Sequence, residues 1–177
     1  DIPESAKGPA IDPAKGYRIQ ALGRGLYMVT ENVYQSMFMV HDEGVIVADV
    51  PPPLAAFIPK AIREVTDKPI THIIYSHAHS DHIGGNAAVH AEFGCKIIVP
   101  AGMHARIAEW DEAALLLSPL GQQGTRFSHD ATVNADDIVE MGGLNWQCLA
   151  VPGHDMEALA YYNPEQQILI SGDALWE

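Results

Sequence analysis

The chain has 177 residues, of which 47% are hydrophobic and 19% are charged, a composition typical of one globular domain with a substantial core. Ten lysines and arginines stand against 23 aspartates and glutamates, so the net charge is −13 with neutral histidines. A surface of that sign repels polyanions, and no apolar run approaches the roughly 20 residues that span a bilayer, so we expect neither a nucleic-acid nor a membrane partner.

Residues 1–16 are rich in proline and glycine and predict an extended arm, followed by a single domain over residues 17–177. The sequence starts at Asp1 without a methionine or a positively charged apolar leader, which fits a processed secreted protein as well as a shortened chain. A periplasmic or secreted location is slightly favoured over the cytoplasm. Cys95 and Cys148 lie in apolar stretches and are interpreted as buried free thiols, which leave the redox compartment undecided.

Four short runs of β-type residues, separated by turn residues, predict an antiparallel meander. These runs cover residues 17–22, 26–30, 35–40 and 45–49. Asp49 ends the last run and precedes three prolines. We therefore expect its carboxylate at the carboxyl end of a strand, facing a sharp turn.

Helical and strand patterns then alternate. Helices are predicted at 54–65, 85–93 and 102–117, and strands at 70–75, 96–99, 138–141, 144–151, 158–162 and 167–171. The third helix has an apolar stripe that favours core over a substrate wall, formed by Met103, Ile107, Trp110, Ala114 and Leu117. Residues 118–137 have no regular pattern and predict either a lid over a site or a peripheral connection.

The segment 76–82 follows the strand predicted at 70–75 and contains three histidines and an aspartate. His77 and His79 are two residues apart, so on an extended backbone their side chains point to the same side. Neutral imidazoles and a carboxylate form the ligand mix that suits zinc and neighbouring divalent ions. The alternative is a solvated histidine-rich loop, but such ligand spacing rarely occurs without a metal. The segment therefore predicts a metal site.

Two further predicted strands end in a potential ligand. The strand at 144–151 leads into Pro152-Gly153-His154, and the strand at 167–171 leads into Gly172-Asp173. A turn histidine would be the default interpretation of His154 taken alone. Because loops at the carboxyl ends of strands converge on one edge of a layered fold, we expect both side chains to join the histidine segment. We also expect Gly153 and Gly172 to allow a close approach that a Cβ would block.

Together these motifs resemble those of the metallo-β-lactamase superfamily: HxHxDH at 77–82, PGH at 152–154 and GD at 172–173. Asp49 resembles the earlier aspartate that supports the metal-binding loop in that family. The resemblance covers residues from about 17 to the end. It implies an α/β fold, an αββα sandwich of mixed β-sheets with two metal ions at the rim between the sheets.

The resemblance also implies a ligand set. His77, His79 and His154 would hold the first metal, Asp81 and His82 the second, and Asp173 would bridge both. The ions would be two divalent metals, zinc before iron or manganese. The family normally places one more histidine, well downstream, on the second metal, and no residue after Asp173 can take that role. We therefore expect a chain whose second half is incomplete and which self-associates through it.

Five histidines lie outside the motifs: His41, His72, His90, His104 and His129. We interpret them as surface or structural residues. If one is an exception, we expect it to be His129, which lies in the irregular segment.

The resemblance implies a binuclear zinc-type hydrolase that uses a metal-bound hydroxide on a small-molecule ester, thioester, lactone or lactam. Asp81 would orient the hydroxide and shuttle a proton. An aspartate at position 173 is similar to glyoxalase II-like members, lactonases and phosphoesterases, whereas many β-lactamases carry cysteine or serine there. The alternatives are a β-lactamase proper, a mononuclear iron persulfide dioxygenase using His77, His154 and Asp173, and a metal-binding fragment without turnover.

Overall fold

The computed structural model describes residues 10–120 and 124–175, so residues 1–9 of the expected arm and Gly121 of the irregular segment lie outside the described part. Within it, strands form two sheets. The first sheet contains, in spatial order, β1 (Arg18–Gly23), β2 (Leu26–Thr30), β3 (Gln35–Val40), β4 (Val45–Ala48), β5 (Ile70–Ile74), β6 (Lys96–Pro100) and β7 (Ala131–Val133). The second contains β8 (Ile138–Met141), β9 (Leu144–Ala150), β10 (Leu159–Asn163) and β11 (Ile168–Ile170), in the order β11-β10-β9-β8.

The first sheet is mixed and the second is antiparallel. Strands β1 to β4 form the predicted antiparallel meander, whereas β4 to β7 pair in parallel. Parallel neighbours need crossover connections, and helices supply them. These helices are α1 (Ile58–Val65), α2 (Ser80–Ile83), α3 (Asn86–Phe93), α4 (His104–Glu109) and α5 (Leu117–Leu120).

Two apolar clusters hold the layers together. One cluster lies between the first sheet and the helices, where Ile58 and Ile62 of α1 pack with Val47 and Ile73 of the sheet. The other lies between the two sheets, and all of its buried members belong to strands, among them Trp146 and Tyr161. In the described part of the chain, helices therefore cover one outer face of a two-sheet sandwich, which confirms the predicted sandwich of mixed sheets.

The outer face of the second sheet carries exposed leucines. Leu149 is 38% exposed and Leu169 is 45% exposed. Both pair with neighbouring residues of β10, Ala160 and Tyr162, which alternate with the inward-facing Tyr161. Among the described residues, no helix contributes a side chain to the cluster beneath this sheet.

The prediction of one continuous helix at 102–117 is wrong. Helix α4 ends at Glu109, and the next residue, Trp110, adopts a left-handed conformation with φ of 59°. The Asp111 carboxylate accepts hydrogen bonds from the backbone N–H groups of Ala113 and Ala114, and so stabilises a turn where the helix would have continued. Leu115 is buried, whereas Ala114 of the predicted apolar stripe is half-buried.

Other boundaries also differ from the sequence expectations. Residues 52–54 form a 3-10 turn, so the helix predicted from residue 54 begins at Ile58. The irregular segment contains the unpredicted strand β7, whose three residues are too few for a periodic signal. Of the expected extended arm, Asp12 bridges to Tyr17, and the residues between them form a turn.

Cys95 and Cys148 are free and buried, as predicted. Among the described residues, no helix is both long enough and apolar enough to cross a membrane.

Candidate metal centre

Asp49 is the residue that joins strand β4 to the candidate centre. Its carboxylate is buried and accepts hydrogen bonds from the backbone N–H of Ser76 (3.2 Å) and from the Ser76 hydroxyl (3.1 Å). The same carboxylate lies 3.0 Å from Nδ1 of His82. Asp49 thus anchors both ends of the histidine segment, the position that the sequence predicted for a supporting residue.

The first cluster of donor atoms consists of His77, His79 and His154. One ring nitrogen from each lies within 4.8 Å of the others. The closest pair is Nδ1 of His79 and Nε2 of His154, 2.9 Å apart. The structure therefore brings together the three side chains that the resemblance assigns to the first metal, although 75 residues separate two of them.

The second cluster consists of His77, His82 and Asp173, again with donor atoms within 4.8 Å of one another. Nε2 of His82 lies 3.3 Å from Oδ2 of Asp173 and 3.8 Å from Oδ2 of Asp81. Asp173 also lies 3.8 Å from Nε2 of His77 and 3.8 Å from Nε2 of His154. Asp173 therefore faces both clusters, and Asp81 lies at the edge of the second.

His77 is shared by the two clusters and tests whether a cation fits them. Its side chain is 1% exposed, and Nδ1 lies 3.1 Å from the Ser76 hydroxyl. Its Nε2 is buried without a hydrogen-bond partner among the described residues. An unpaired buried nitrogen destabilises a fold, whereas a divalent cation between these imidazoles and carboxylates would supply the missing partner. The donor set therefore fits a metal site.

The electrostatics divide the histidines into neutral and charged ones. Burial, with a smaller contribution from His82, lowers the pKa of His77 to about 4. Burial and His154 likewise lower the pKa of His79. For His82, burial opposes the charge, but the carboxylates of Asp49 and Asp173 outweigh it and raise the pKa to about 10. In the metal-free protein the two carboxylates therefore favour a charged His82, whereas burial favours the neutral form of His77 and His79, the form in which an imidazole binds metal.

Gly153 and Gly172, which precede His154 and Asp173, differ in how closely other atoms pack against them. A Cβ on Gly172 would lie 2.2 Å from the Cβ of Ser76, and its φ is 52°. Only glycine can bring Asp173 this close to the histidine segment. A Cβ on Gly153 would meet no atom within 4 Å, so the expected close approach at this residue is wrong.

Two residues near the centre, Asp155 and Arg106, were not predicted from the sequence. The Asp155 carboxylate is buried, accepts a 2.7 Å hydrogen bond from Nη1 of Arg106 and lies 3.6 Å from Nε2 of His79. Its position directly after His154 was a signal that could have been used. Arg106 lies on α4, 49 residues earlier, and no local pattern connects it to the centre.

The five remaining histidines lie outside both clusters. His41 and His72 contact Thr71, and His90 lies 2.8 Å from the carbonyl of Cys95. His129, expected as the exception, faces His104 with 2.8 Å between ring nitrogens.

A cavity of about 320 Å³ opens beside the two clusters. His77, His154 and Asp173 form one side of it. Apolar side chains of the second sheet and the following turns form the rest, among them Leu149, Val151, Leu169 and Leu175. The cavity can therefore hold a small molecule with an apolar part next to the candidate centre.

Comparison with sequence families and curated proteins gives one consistent family. A family model described as the metallo-beta-lactamase superfamily matches residues 30–177. A hydroxyacylglutathione hydrolase from Rhodopseudomonas palustris (strain HaA2) is 27% identical over 140 residues, which is 78% of this chain and 47% of the relative. A hydroxyacylglutathione hydrolase from Hyphomonas neptunium is 31% identical over 142 residues, again 78% and 47%. The chain thus spans about half the length of the curated relatives it matches.

Solved structures share the fold. The FEZ-1 metallo-beta-lactamase from Legionella gormanii superposes with a TM-score of 0.73 at 20% identity, over 88% of this chain and 60% of that chain. A beta-lactamase from Chitinophaga pinensis gives a TM-score of 0.72 at 20% identity over the same shares. At this identity the likeness shows the fold alone.

Proposed function

The chain belongs to the metallo-beta-lactamase superfamily, and on that premise we propose that it acts as a metal-dependent hydrolase of a small thioester. The observation that carries the proposal is the pair of donor clusters that share His77, whose buried Nε2 has no partner among the described residues. His77, His79 and His154 would hold one divalent ion. His82, Asp81 and Asp173 would hold a second, with Asp173 facing both.

Divalent metal ions at these clusters would lower the pKa of a water nucleophile and polarise the scissile carbonyl. The residues do the rest. Oδ2 of Asp81, on a partly exposed carboxylate at the edge of the second cluster, takes the proton that the water loses and returns it to the departing thiolate. The C–S bond breaks, a C–O bond forms, and the products are a carboxylic acid and a thiol. Asp49 keeps the histidine segment in place during this exchange.

The choice of a thioester is supported by three observations. The two relatives described above are named as hydrolases of hydroxyacylglutathione, a thioester. The residue that faces both clusters is an aspartate, Asp173. The adjoining cavity is mostly apolar, which suits an acyl chain. The solved β-lactamases share only the fold at the identities found, so they do not favour a lactam.

A second candidate is the mononuclear iron persulfide dioxygenase. Oδ2 of Asp173 lies 3.8 Å from Nε2 of His77 and 3.8 Å from Nε2 of His154, so these three side chains could form a site of two histidines and one carboxylate. The competing observation is that Asp173 lies nearer to His82, at 3.3 Å. Metal identity separates the two candidates.

The first experiment is elemental analysis of protein purified without chelators, followed by an assay of thiol release from an S-(2-hydroxyacyl)glutathione. About two zinc ions per chain and thioester turnover are expected. A cephalosporin and a lactone serve as comparison substrates. About one iron per chain, with oxygen uptake on a persulfide, would replace the proposal with the dioxygenase. Tight metal binding with no turnover of any substrate would leave a metal-binding fragment.

His79→Ala and Asp81→Ala test the roles of the two clusters. We expect each substitution to lower turnover by more than about 100-fold without unfolding the protein, because each removes a metal ligand. Loss of a ligand's outer hydrogen-bond partner alone lowers metal affinity or activity by about 10- to 100-fold. His104→Ala is the matched control, since His104 is exposed and lies outside both clusters. Turnover within a factor of about two in either cluster variant would contradict the mechanism.

A further inference from the structure

Asp155 has the contacts of a residue whose charge is held in place. Its side chain is 4% exposed. Oδ1 accepts a 2.8 Å hydrogen bond from the backbone N–H of Glu157, and Oδ2 accepts the 2.7 Å bond from Nη1 of Arg106. The guanidinium and the backbone N–H therefore stabilise a charged carboxylate in the interior, directly behind the first cluster.

The ring of His79 lies between this carboxylate and the cluster. Its Nδ1 faces Nε2 of His154 at 2.9 Å, and its Nε2 faces Oδ2 of Asp155 at 3.6 Å. The second distance is longer than a hydrogen bond, so the contact is electrostatic. A neutral imidazole carries one proton, and a nearby carboxylate favours the tautomer with that proton on the nitrogen that faces it. In that tautomer Nδ1 has a lone pair directed into the cluster, where it accepts the hydrogen bond from Nε2 of His154 in the metal-free protein.

The other two histidines of the segment follow the same arrangement. Nδ1 of His77 lies 3.1 Å from the Ser76 hydroxyl, and Nδ1 of His82 lies 3.0 Å from the Asp49 carboxylate. Each ring thus has one nitrogen in a cluster and the other against a polar group. Such outer partners orient metal ligands and increase their basicity. Asp155 faces His79 as Asp49 faces His82, at 3.6 Å instead of 3.0 Å.

Arg106 connects this arrangement to a distant element. It lies on α4, whereas Asp155 lies in the loop between β9 and β10. The guanidinium is 31% exposed and the carboxylate is 4% exposed, so the ion pair runs from the surface to the cluster. The hydrogen bond from Arg106 keeps Oδ2 of Asp155 directed at His79.

We propose that Asp155, held by Arg106, is a positioning residue that keeps the proton of His79 on Nε2 and leaves Nδ1 free to bind metal. This inference rests on the proposed function, because it takes His79 as a metal ligand. The competing explanation is that the ion pair only fastens the loop after β9 to α4. The two explanations differ in what they predict for zinc affinity and for the tautomer of His79.

The first test measures zinc affinity by competition with a chromophoric chelator, and thermal unfolding of the metal-free protein. Asp155→Asn keeps the size and removes the charge, and is expected to weaken the tightest zinc site by about 10- to 100-fold. Arg106→Met breaks the same ion pair but keeps the carboxylate and its hydrogen bond from the backbone N–H of Glu157, so a smaller loss of affinity is expected. Equal losses from both variants, or an unchanged affinity in D155N, would overturn the proposal.

The exposed ion pair between Arg63 and Glu92 provides the matched control. Glu92→Gln removes an arginine partner far from both clusters, and we expect its zinc affinity to equal that of the wild type. The affinities are expressed per folded molecule, so a loss of stability alone does not move them.

The second test measures the wild-type protein, and a variant serves only to assign the signals. Long-range ¹H–¹⁵N correlation spectra of the metal-free wild type report which ring nitrogen of His79 carries the proton, with His79→Gln used to assign the signals. A proton on Nε2 supports the proposal, and a proton on Nδ1 overturns it. A wild type that binds zinc but releases no thiol would count against the proposed function alone, because neither the affinity comparison nor the tautomer depends on turnover.

Discussion

At the scale of single residues, the candidate centre depends on how closely the chain segments approach one another. Gly172 shows this most directly, because its backbone packs against the side chain of Ser76, the residue that precedes His77. Its φ of 52° lies in the left-handed region, which costs an L-amino acid about 1 kcal/mol or more. The overlap with Ser76 and the left-handed backbone therefore both exclude a side chain at Gly172. Both also determine where the next residue, Asp173, lies.

Gly172→Ala and Gly153→Ala make a matched pair of substitutions. We expect Gly172→Ala to lower the free energy of unfolding by about 2 kcal/mol or more, because the new Cβ overlaps Ser76 and the backbone is strained. Gly153→Ala should change it by less than about 0.5 kcal/mol, since its Cβ meets nothing. Urea unfolding of the metal-free proteins measures both. A similar effect at the two glycines would contradict this account of the site.

At the scale of elements, a histidine connects the two sheets on the side remote from the candidate centre. His41 follows β3, and its ring packs on Gly142 in the turn between β8 and β9, where a Cβ would lie 2.5 Å from the ring. Its Nε2 lies 3.4 Å from the Thr71 hydroxyl, next to the ring of His72 on β5. Because these rings lie between packed elements, their protonation affects how the sheets fit together.

The free energy of unfolding should therefore fall as the pH is lowered from 7 to 5. Burial lowers the pKa of His41 and His72 below the ordinary value of 6.5, so the unfolded chain binds more protons in this range. The stabilisation is fully present above pH 6.5 and is lost as the pH falls through the lowered pKa of the folded state. The charged groups that face these rings are Asp42, Glu43, Lys68, Lys96 and Glu140.

His41→Gln measures this contribution. Denaturant unfolding of the metal-free wild type and of the variant at pH 7 and pH 5 should give a smaller loss of stability in the variant, which has one fewer proton site to fill. Other buried histidines contribute equally to both proteins, so the difference isolates His41. Parallel losses would show that His41 titrates alike in the folded and unfolded states.

At the scale of the whole molecule, the two faces of the sandwich are unequal. Helices cover the first sheet, while in the described residues the second sheet presents Leu149 and Leu169 to solvent beside the cavity. Exposed apolar residues on a sheet face promote association between chains. The net charge of −13 opposes that association.

We predict that the 177-residue chain self-associates through this face. Light scattering at rising protein concentration should give a mass above that of the monomer. The double substitution Leu149→Lys and Leu169→Lys should return the monomer mass, because lysines keep an open sheet surface in water. Leu22→Lys, on the exposed part of the first sheet, should leave association unchanged. A wild-type chain that stays monomeric would contradict the prediction.

Much of this organisation could be predicted from local sequence. The meander and the strands that end in His77, His154 and Asp173 follow from alternating apolar residues and turn signals. The two-sheet sandwich was implied only by the resemblance of the motifs to a known superfamily. The HxHxDH spacing predicted a metal site, and the structure brings donor atoms of His77, His79 and His82 into two clusters that could hold metal ions. The prediction of one long helix at 102–117 was wrong, because the Asp111 carboxylate stabilises a local turn that competes with the helix.

The sequence by itself determined which residue types bear the chemistry and that they follow the ends of three strands. Only the tertiary structure decided that Arg106 reaches Asp155 behind His79, that Gly172 and not Gly153 requires the absence of a side chain, and that His82 carries a charge between Asp49 and Asp173. The physical reason is the separation along the chain between the residues that each feature involves. Spacing along a strand is a local property, whereas burial, close approach and charge pairing depend on segments that meet only when the chain has folded.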